Sequence, residues 1–520
     1  MKNHIKGAAV AAMLVLSLSA CRKESDTVHN YSYMDALAWS KASESYGEQF
    51  KILWEGLNTN YAIWDYEKEQ GLDWDRVYDQ YYPKFTELDT LAKKRVVTDE
   101  ELHALYLEVL SPLHDGHLFV DIKNRMTGNF LPRISPSDNR INKERKADFE
   151  EAKQFGLPNL SYYQGKLKEY KHADATGWTQ KDSVVAALSA WAESIIKETS
   201  AKTLLTEEEL SKERVAYNIK YELNKLKAMD ENGNIGASVS ALNAIVSQYA
   251  YLNIPHVHTL DMDLIEKNLS ITYALFEGNV AYLQFNSFSI TPFITEFPNA
   301  QDMDPYAAQL AAEVKNVWES WFQAIQDLHN AGQLGGVIID VRGNNGGLLS
   351  DYAYVLGSLV PSGGLHMMNS RFKRGIGRYD YSPVMPQVMS TLEQPHVTVT
   401  ERIAVLANAK SVSMAEMTSM GTRVLDNAKL IGTRTWGGIC ALTDNTSYSY
   451  NYSGHVGIEG QTPVYIYCPT VAAMDLDGKI LEGTGVTPDI EVHMDIASWN
   501  NGWGPDTQLE RALQYISSGK

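Results

Sequence analysis

Residues 336–347 read Gly336-Val337-Ile338-Ile339-Asp340-Val341-Arg342-Gly343-Asn344-Asn345-Gly346-Gly347, an uninterrupted apolar run that ends in a glycine-rich turn. Apolar residues without polar alternation are typical of a strand buried on both faces, as in parallel sheets covered by helices. Glycines behind such a strand let the backbone approach a ligand, or point two amides in one direction. The turn lacks the Lys and Ser/Thr of a phosphate-binding loop, which disfavours a nucleotide site, and a plain strand-to-helix turn remains the alternative.

The sequence on both sides of this stretch alternates between strand-like and helix-like patterns. The predicted elements are a strand at 280–285, an amphipathic helix at 306–328, strands at 402–406 and 464–467, a helix near 414–425 and a tail helix at 507–516. Such alternation is typical of α/β domains. We therefore expect an α/β domain over residues 272–497, with a C-terminal helix in residues 498–520 packed on it.

The region that precedes this domain is helical and rich in aromatic residues. Between residues 46 and 110 apolar side chains recur three or four positions apart, beginning with Phe50, Leu53, Trp54 and Leu57. Ser111-Pro112 ends the last predicted helix, and the chain then turns through Asp115-Gly116-His117 into a short strand. This pattern predicts a helical N-terminal domain over residues 46–130, whereas residues 131–271 form a middle region whose fold the pattern does not predict.

Composition and charge narrow the class of protein. The chain has 520 residues, of which 44% are hydrophobic and 21% charged, so it can bury a large core. The formal net charge of -18 gives no electrostatic footprint for a nucleic-acid backbone. The cysteines are Cys21, Cys440 and Cys468, without the clustered spacing of a zinc or iron–sulfur site. For Cys440 and Cys468, a disulfide and two free thiols remain equally open.

The N-terminus has the pattern of a secretory signal peptide. Lys2 and Lys6 precede the apolar run 7–18, which at about 12 residues is too short to span a bilayer. The run ends in Leu18-Ser19-Ala20-Cys21, which resembles the bacterial lipoprotein box, whose cysteine becomes lipidated. We expect a signal peptide at 1–20, a lipidated Cys21 with a tether over 21–45, and a location in the cell envelope at the outer membrane. Ordinary cleavage near Ala20 is the alternative.

Three side chains are candidates for chemistry. Ser413 lies in Ser411-Val412-Ser413-Met414-Ala415-Glu416, between a predicted strand and a predicted helix, where the amides of a helix start can bind a developing oxyanion. Ser413 and Glu416 also fit a capping box, so a structural helix cap is the alternative. His117 follows a glycine that frees its ring to reach into a cleft, but a single histidine has little specificity. Glu482, taken alone, is a carboxylate of the kind that is usually solvated.

Four segments taken together resemble the C-terminal processing peptidase family of serine proteases, and more closely its tricorn-protease-like branch. Residues 336–347 are similar to the family's LDLRGNPGG strand and loop, and Ser411–Glu416 to its SASASE nucleophile turn. Residues 431–438 are similar to the GExTxGG segment, and residues 482–489 to the EGxGVxPD strand. The resemblance implies a helical N-terminal domain and an α/β peptidase domain of the ClpP/crotonase type.

The resemblance also implies roles for single residues. Ser413 would be the nucleophile, and the Met414 amide together with an amide of the Gly346-Gly347 turn would hold the oxyanion. No metal ion or cofactor is implied.

One departure from the family pattern bears on the base. Much of the family has a lysine about 25 residues after the serine, and Gly438 stands there in this chain. The tricorn-like branch uses a histidine in a DGH-like segment, which corresponds to His117, and a glutamate, which corresponds to Glu482. A serine usually precedes that histidine, and here the residue is Gly116. The resemblance therefore implies a Ser/His rather than a Ser/Lys mechanism.

The sequence thus predicts a serine endopeptidase that cleaves proteins or peptides, is anchored to a membrane by its N-terminal lipid, and does not bind nucleic acid. Two alternatives remain. One is a peptidase fold without catalytic activity, and the other is a glycan- or peptide-binding lipoprotein that uses some of its 29 Tyr, 13 Phe and 11 Trp residues as stacking platforms. The cleavage preference and the oligomeric state are not predicted.

Overall fold

The structure is a computed structural model of the full chain. It describes residues 41–519 apart from 138–144, 157, 159–162, 164–180, 231–255, 259–268, 297–304, 376, 392–394, 442–454 and 500–504. The predicted signal peptide and Cys21 lie outside the described residues, as does much of the predicted middle region.

The helices of the described residues are numbered in chain order. They are α1 (Tyr46–Asn60), α2 (Trp64–Glu69), α3 (Trp74–Leu91), α4 (Asp99–Leu110), α5 (Lys146–Lys153), α6 (Lys181–Ser200), α7 (Glu207–Asp230), α8 (Pro305–Asn330), α9 (Asp351–Tyr354), α10 (Met414–Gly421), α11 (Ile496–Trp499) and α12 (Thr507–Ser518). None of them is long and apolar enough to cross a membrane.

The strands are numbered in the same way. They are β1 (Phe119–Ile122), β2 (His256–His258), β3 (Ser270–Phe276), β4 (Val280–Phe285), β5 (Gly336–Asp340), β6 (Leu365–Phe372), β7 (Met385–Met389), β8 (Ile403–Ala407), β9 (Ala428–Gly432), β10 (His455–Val456), β11 (Val464–Tyr467), β12 (Val471–Met474) and β13 (Ile490–Glu491). The expected fold class is confirmed: the N-terminal region is helical and the C-terminal half is mixed α/β.

The chain divides into two compact units, and each is made of separate stretches of sequence. Of the described residues, those within 41–146, 368–387 and 437–485 form the helical unit, and those within 147–367, 388–436 and 486–519 form the sheet unit. This division differs from the domain boundaries expected from the sequence, because residues 368–387 and 437–485 fall inside the expected α/β domain. The physical reason is strand pairing across long sequence separations, which hydropathy patterns do not reveal.

The core of the helical unit explains much of the aromatic composition. Phe50 of α1 stacks on Phe85 of α3 with their ring centroids 4.6 Å apart, and the Trp64 and Trp74 rings are 4.8 Å apart. A capping box starts α4, because Glu101 N–H donates to Thr98 Oγ1 and Thr98 N–H to Glu101 Oε2. The aromatic residues of the helical unit therefore mostly form its core.

Strand β1 joins this helical core to residues far along the chain. It pairs antiparallel with β11, Phe119 opposite Tyr467, and β11 also pairs with β10. Val464, Ile466, Cys440 and Cys468 belong to the same buried cluster as the apolar faces of α1 and α4. Both cysteines in the described part of the chain are buried and free, so the disulfide alternative is wrong.

The sheet unit is built on seven strands in the order β13-β9-β8-β5-β4-β3-β2. Strands β4, β5, β8 and β9 run parallel to one another. Every residue of β5 and β8 is buried. Helix α12 packs against them with Leu509, Ala512, Tyr515 and Ile516 in one buried cluster with Ile338 and Leu406. The carboxyl ends of β5 and β8 therefore lie side by side at one edge of the sheet, the usual place for a site in such folds.

Candidate active site

Ser413 lies at the turn between β8 and α10, at this edge of the sheet. Its φ is 57° and its ψ is -114°, and among the described residues other than glycine a positive φ is found elsewhere only at Asn279. Such a conformation costs a non-glycine residue on the order of 1–3 kcal/mol, and it persists where the surrounding structure enforces it. Ser413 is partly exposed, whereas all residues of α10 are buried. The turn therefore presents the serine at the surface of the sheet unit.

Glu416 fixes this turn from the helix side. Its Oε2 accepts the Ser413 N–H at 3.1 Å, its Oε1 accepts the Thr435 hydroxyl at 2.6 Å, and its own N–H donates to the Ser413 carbonyl at 2.8 Å. The carboxylate of Glu416 is fully buried. The glutamate of the predicted capping box thus holds the main chain of Ser413 in place through hydrogen bonds. These contacts are compatible with both the structural and the catalytic interpretation of this motif.

The glycine-rich turn after β5 packs directly on the Ser413 turn. A Cβ added to Gly346 would lie 2.6 Å from the Ser413 Cβ and 3.0 Å from the Met414 N, so only glycine fits here, at φ 80°. Val412 N–H donates to the Asn344 carbonyl at 2.9 Å, and the Ser411 hydroxyl to the Val341 carbonyl at 2.7 Å. These bonds hold the two loops together at the sheet edge.

The two glycine amides of this turn are not equivalent. Gly346 N–H donates to the buried side chain of Asn344, with 2.8 Å between N and Oδ1. An amide with that partner is not available to an oxyanion. Of the two glycine amides implied by the family resemblance, that of Gly346 is thus already engaged, and the roles of Gly347 and Met414 stay predictions.

His117 follows a loop of the helical unit. Buried carboxylates bind this loop at two residues. Glu67 Oε2 lies 2.7 Å from His114 Nδ1, and its Oε1 accepts the His114 N–H at 2.8 Å. Glu482 Oε1 accepts the Gly116 N–H at 2.6 Å, and its Oε2 accepts the N–H groups of Ile439 and Cys440 at 2.9 Å each. Glu482 is fully buried beside the histidine loop, so the interpretation as a solvated charge is wrong.

Asp115 is a residue of this loop to which the sequence analysis assigned no role. It is fully buried, and its Oδ1 accepts the N–H groups of His117 at 2.8 Å and Leu118 at 2.9 Å. One nitrogen of the His117 ring, one oxygen of Asp115 and one of Glu482 all lie within 4.8 Å of one another. An Asp that accepts amides two and three residues ahead is a common turn signal, so the Asp-Gly-His spacing could have pointed to it.

Electrostatics separates the two carboxylates of this cluster. Burial raises the pKa of Asp115 well above its usual range, and the neighbouring charge of Glu482 raises it further. Burial also raises the pKa of Glu482, while the three N–H groups that its oxygens accept lower it. Hydrogen bonds to the charged form of a carboxylate stabilise that form. The N–H groups thus favour the charged form of Glu482, and Asp115 is the member of the pair that binds a proton more readily.

The residues of the sheet edge fall within a recognised domain. Residues 279–492 match the model of peptidase family S41. The chain carries a peptidase family S41 domain. This confirms the resemblance to C-terminal processing peptidases. The matched range includes Ser413, Met414, Gly346, Gly347 and Glu482, whereas His117 lies outside it.

The chain is also similar to one curated protein. Over 200 residues the chain is 26% identical to a Streptomyces coelicolor protein named as a tricorn protease homolog, a match that covers 38% of this chain. The chain spans about a seventh of the length of that relative, 14%.

Two solved structures are similar to this chain, one over most of its length and the other over just under half. One, a Parabacteroides merdae protein described as a peptidase, is 15% identical, with a TM-score of 0.47 over 92% of this chain and 98% of that one. The other, the photosystem II D1 C-terminal processing protease, is 18% identical, with a TM-score of 0.28 over 46% of this chain and 47% of that one. Because both TM-scores are below 0.5, the family assignment rests on the S41 domain match.

The predicted site residues are thus distributed over both units. Ser413, Met414, Gly346 and Gly347 belong to the sheet unit, and His117 and Glu482 to the helical unit. Asp115, His117 and Glu482 offer a set of donor atoms that a metal ion could accept. Both oxygens of Glu482 already accept backbone N–H groups, which favours a role in holding the histidine loop.

Proposed function

We propose that this S41 protein is a serine endopeptidase that hydrolyses proteins or peptides through Ser413, with His117 as the general base. The observation that carries the proposal is the left-handed backbone of Ser413, φ 57°, at the buried start of α10 inside the S41 domain. A helix cap alone needs no such strain, since ordinary capping residues adopt the β region. Strained strand-to-helix turns are where hydrolases hold nucleophilic serines.

The proposed reaction is acyl transfer to Ser413. Its Oγ attacks the carbonyl carbon of the scissile peptide bond while its proton passes to His117, and the oxyanion accepts the N–H groups of Met414 and Gly347. The C–N bond then breaks as His117 returns the proton to the leaving amine, and a water molecule hydrolyses the ester in the same manner. Each oxyanion donor contributes about 3 kcal/mol to stabilising the transition state.

A serine at its normal pKa is a weak nucleophile, so the reaction needs a base. The described lysine whose pKa is lowered is Lys373: burial lowers it to about 8. Its ammonium group donates to the main-chain carbonyls of Arg374, Gly377 and Asp380. Lys373 thus holds its own turn, which supports the assignment of the base to His117.

The proposed enzyme acts in the cell envelope. The support is the sequence of residues 1–21, in which a short apolar segment ends in Leu-Ser-Ala-Cys. We propose that lipid on Cys21 anchors the mature chain to the outer membrane. Palmitate should label the wild-type chain in vivo but not a Cys21→Ala variant, and equal labelling of both would contradict the anchor.

A fluorophosphonate probe tests the catalytic proposal. The full-length chain should form a covalent adduct that Ser413→Ala abolishes and that His117→Gln slows by about 10²-fold or more. Ser350→Ala, which removes an exposed hydroxyl of the same domain, is the matched control and should label like the wild type. The absence of a Ser413-dependent adduct from folded protein would favour an inactive peptidase fold or a binding lipoprotein instead.

A further inference from the structure

The Asp115 carboxylate has one oxygen with a clear structural role and one without. Oδ1 accepts the N–H groups of His117 and Leu118, which closes the turn before β1. Oδ2 is completely buried and has no hydrogen-bond partner within the described part of the chain. A buried carboxylate oxygen without a partner is costly, since desolvation of a polar group is compensated only by hydrogen bonding. A second role for Asp115 would explain why this oxygen is tolerated.

Asp115 lies beside the His117 ring. Nδ1 of His117 is buried, although the residue as a whole is partly exposed. The cluster that brings a ring nitrogen and an Asp115 oxygen within 4.8 Å contains one further carboxylate, Glu482. An orienting carboxylate in a serine hydrolase acts on the ring nitrogen that does not face the serine. The buried Nδ1 is the nitrogen suited to such a partner.

Glu482 is less suited to that task because its oxygens have other partners. One accepts the Gly116 N–H, and the other accepts the N–H groups of Ile439 and Cys440. These bonds fix the loop before His117 against the segment that carries Cys440. Gly116, where the related branch has a serine, offers no hydroxyl to link Glu482 with the ring.

We propose that Asp115 is the positioning residue of His117, with Oδ2 accepting the Nδ1–H of the ring so that Nε2 carries the lone pair. Glu482 then acts on the ring through its charge and through the loop that it holds. This inference rests on the proposed function of His117 as base. A ring nitrogen of His117 and an oxygen of Asp115 lie within 4.8 Å of each other, which is compatible with this hydrogen bond because catalytic hydrogen bonds are often long before substrate binds.

The proton inventory of the pair gives the expected pH dependence. When Asp115 and His117 together bind one proton, that proton lies on Nδ1 and is shared with Asp115, so the lone pair of Nε2 is available. With two protons the pair is inactive. The negative charge of Glu482 favours binding of the second proton, so activity should rise with pH as that proton is lost. The other titratable groups around the cluster are Glu67, His114, Tyr61, Cys440, Cys468 and, beside Cys468, Lys373.

Two substitutions separate the roles of the two carboxylates. Asp115→Asn keeps an oxygen for the N–H groups of His117 and Leu118 but replaces Oδ2 by an amide donor, which favours the wrong tautomer. It should lower kcat by 10²–10⁴-fold with little change in KM. Glu482→Gln should keep the tautomer and move the acidic limb of the pH profile to lower pH, because it removes a negative charge. Asp121→Asn, on the same segment but paired with Arg133, is the control and should behave like the wild type.

Histidine nitrogen NMR of the full-length chain provides a readout that does not depend on activity. The His117 signal, identified by its loss in His117→Gln, should report an Nδ1–H tautomer in the wild type and in Glu482→Gln, but not in Asp115→Asn. An Nε2–H tautomer in the wild type would overturn the positioning role, whether or not Asp115→Asn folds. If the wild type has the Nδ1–H tautomer but forms no Ser413 adduct, the proposed function fails and the positioning of the ring stands. Adduct formation at the wild-type rate in Asp115→Asn would overturn the inference alone.

Discussion

Gly116 occupies a position in the histidine loop where the backbone leaves no space for a side chain. A Cβ there would lie 2.5 Å from the Gly438 Cα and 3.0 Å from the Gly437 carbonyl oxygen. Gly116 and Gly438, the two departures from the family pattern, are therefore in contact within the helical unit, and the backbone of Gly438 occupies the space that a side chain at position 116 would need. The serine expected before the histidine is incompatible with this backbone.

Restoring that serine should thus weaken the protein. Gly116→Ser should lower the free energy of unfolding by about 1–3 kcal/mol, because the clash is with main-chain atoms that can only shift together. It should not accelerate labelling by a fluorophosphonate. Gly156→Ser is the matched control, since a Cβ at Gly156 would meet no atom within 4 Å. Unchanged urea midpoints for Gly116→Ser together with faster labelling would show that the loop accepts a serine relay.

Because Lys373 is buried, we expect the stability of the protein to depend on pH. Burial lowers its pKa from 10.5 to about 8 in the folded chain. Between these values the unfolded chain binds more protons, so the free energy of unfolding should rise with pH from about 8 to about 10.5, by roughly 3 kcal/mol.

Urea titrations across this pH range, compared with Lys373→Met, measure that difference. Lys373→Met should lack the rise, whereas Lys51→Met, which removes a lysine whose side chain is 42% exposed, should retain it. A rise of equal size in Lys373→Met would assign the effect to another group.

At the scale of elements, a buried ion cluster joins the end of β5 to the start of α12. Arg342 contacts Asp340 at 2.6 Å and Asp506 at 2.7 Å, and all three side chains are fully buried. Asp506 also caps α12 by accepting the N–H groups of Gln508 and Leu509. The guanidinium thereby fixes the direction in which the chain leaves the sheet toward the glycine-rich turn.

Arg342→Met should destabilise the sheet unit by about 3–5 kcal/mol, because it leaves two buried carboxylates without their cation. Combining it with Asp506→Asn should recover part of that loss, since one uncompensated charge is removed. Urea denaturation followed by tryptophan fluorescence measures both variants. A double variant less stable than Arg342→Met would mean that the N-cap bonds of Asp506 outweigh its charge.

The elements also show what sequence patterns can and cannot predict. Strand β5 and the turn at Ser413 were predictable, because a doubly buried strand and a serine followed by a glutamate at the start of a helix have local signatures. The pairing of β1 with β11 was not, since their registers bring residue 119 opposite residue 467 without any local signal. The turn that Asp115 closes has a local signal in the Asp-Gly-His spacing, whereas its buried oxygen without a hydrogen-bond partner is visible only in the structure.

At the scale of the whole molecule, neither unit is a continuous piece of the chain. Residues 437–485 follow the nucleophile turn in sequence but belong to the same unit as residues 1–146. Val456, Val464 and Ile466 lie in one buried cluster with α1, and β11 needs β1 as its partner. The S41 domain match over 279–492 thus covers parts of both units.

This arrangement predicts that a chain of residues 147–520 will fold only in part. Without residues 1–146, the cluster around Ile466 loses its helices and β11 loses its neighbour β1, so the apolar side chains of 437–485 become exposed to water. Amides of β11 should then exchange with solvent at least about 10²-fold faster than in the full chain, whereas amides of β5, whose partners β4 and β8 both remain, should stay protected. Hydrogen exchange followed by mass spectrometry measures both strands in one experiment, and co-expression of residues 1–146 should restore protection to β11. Equal protection of β11 in the shortened and the full chain would mean that residues 437–485 fold without the helical core.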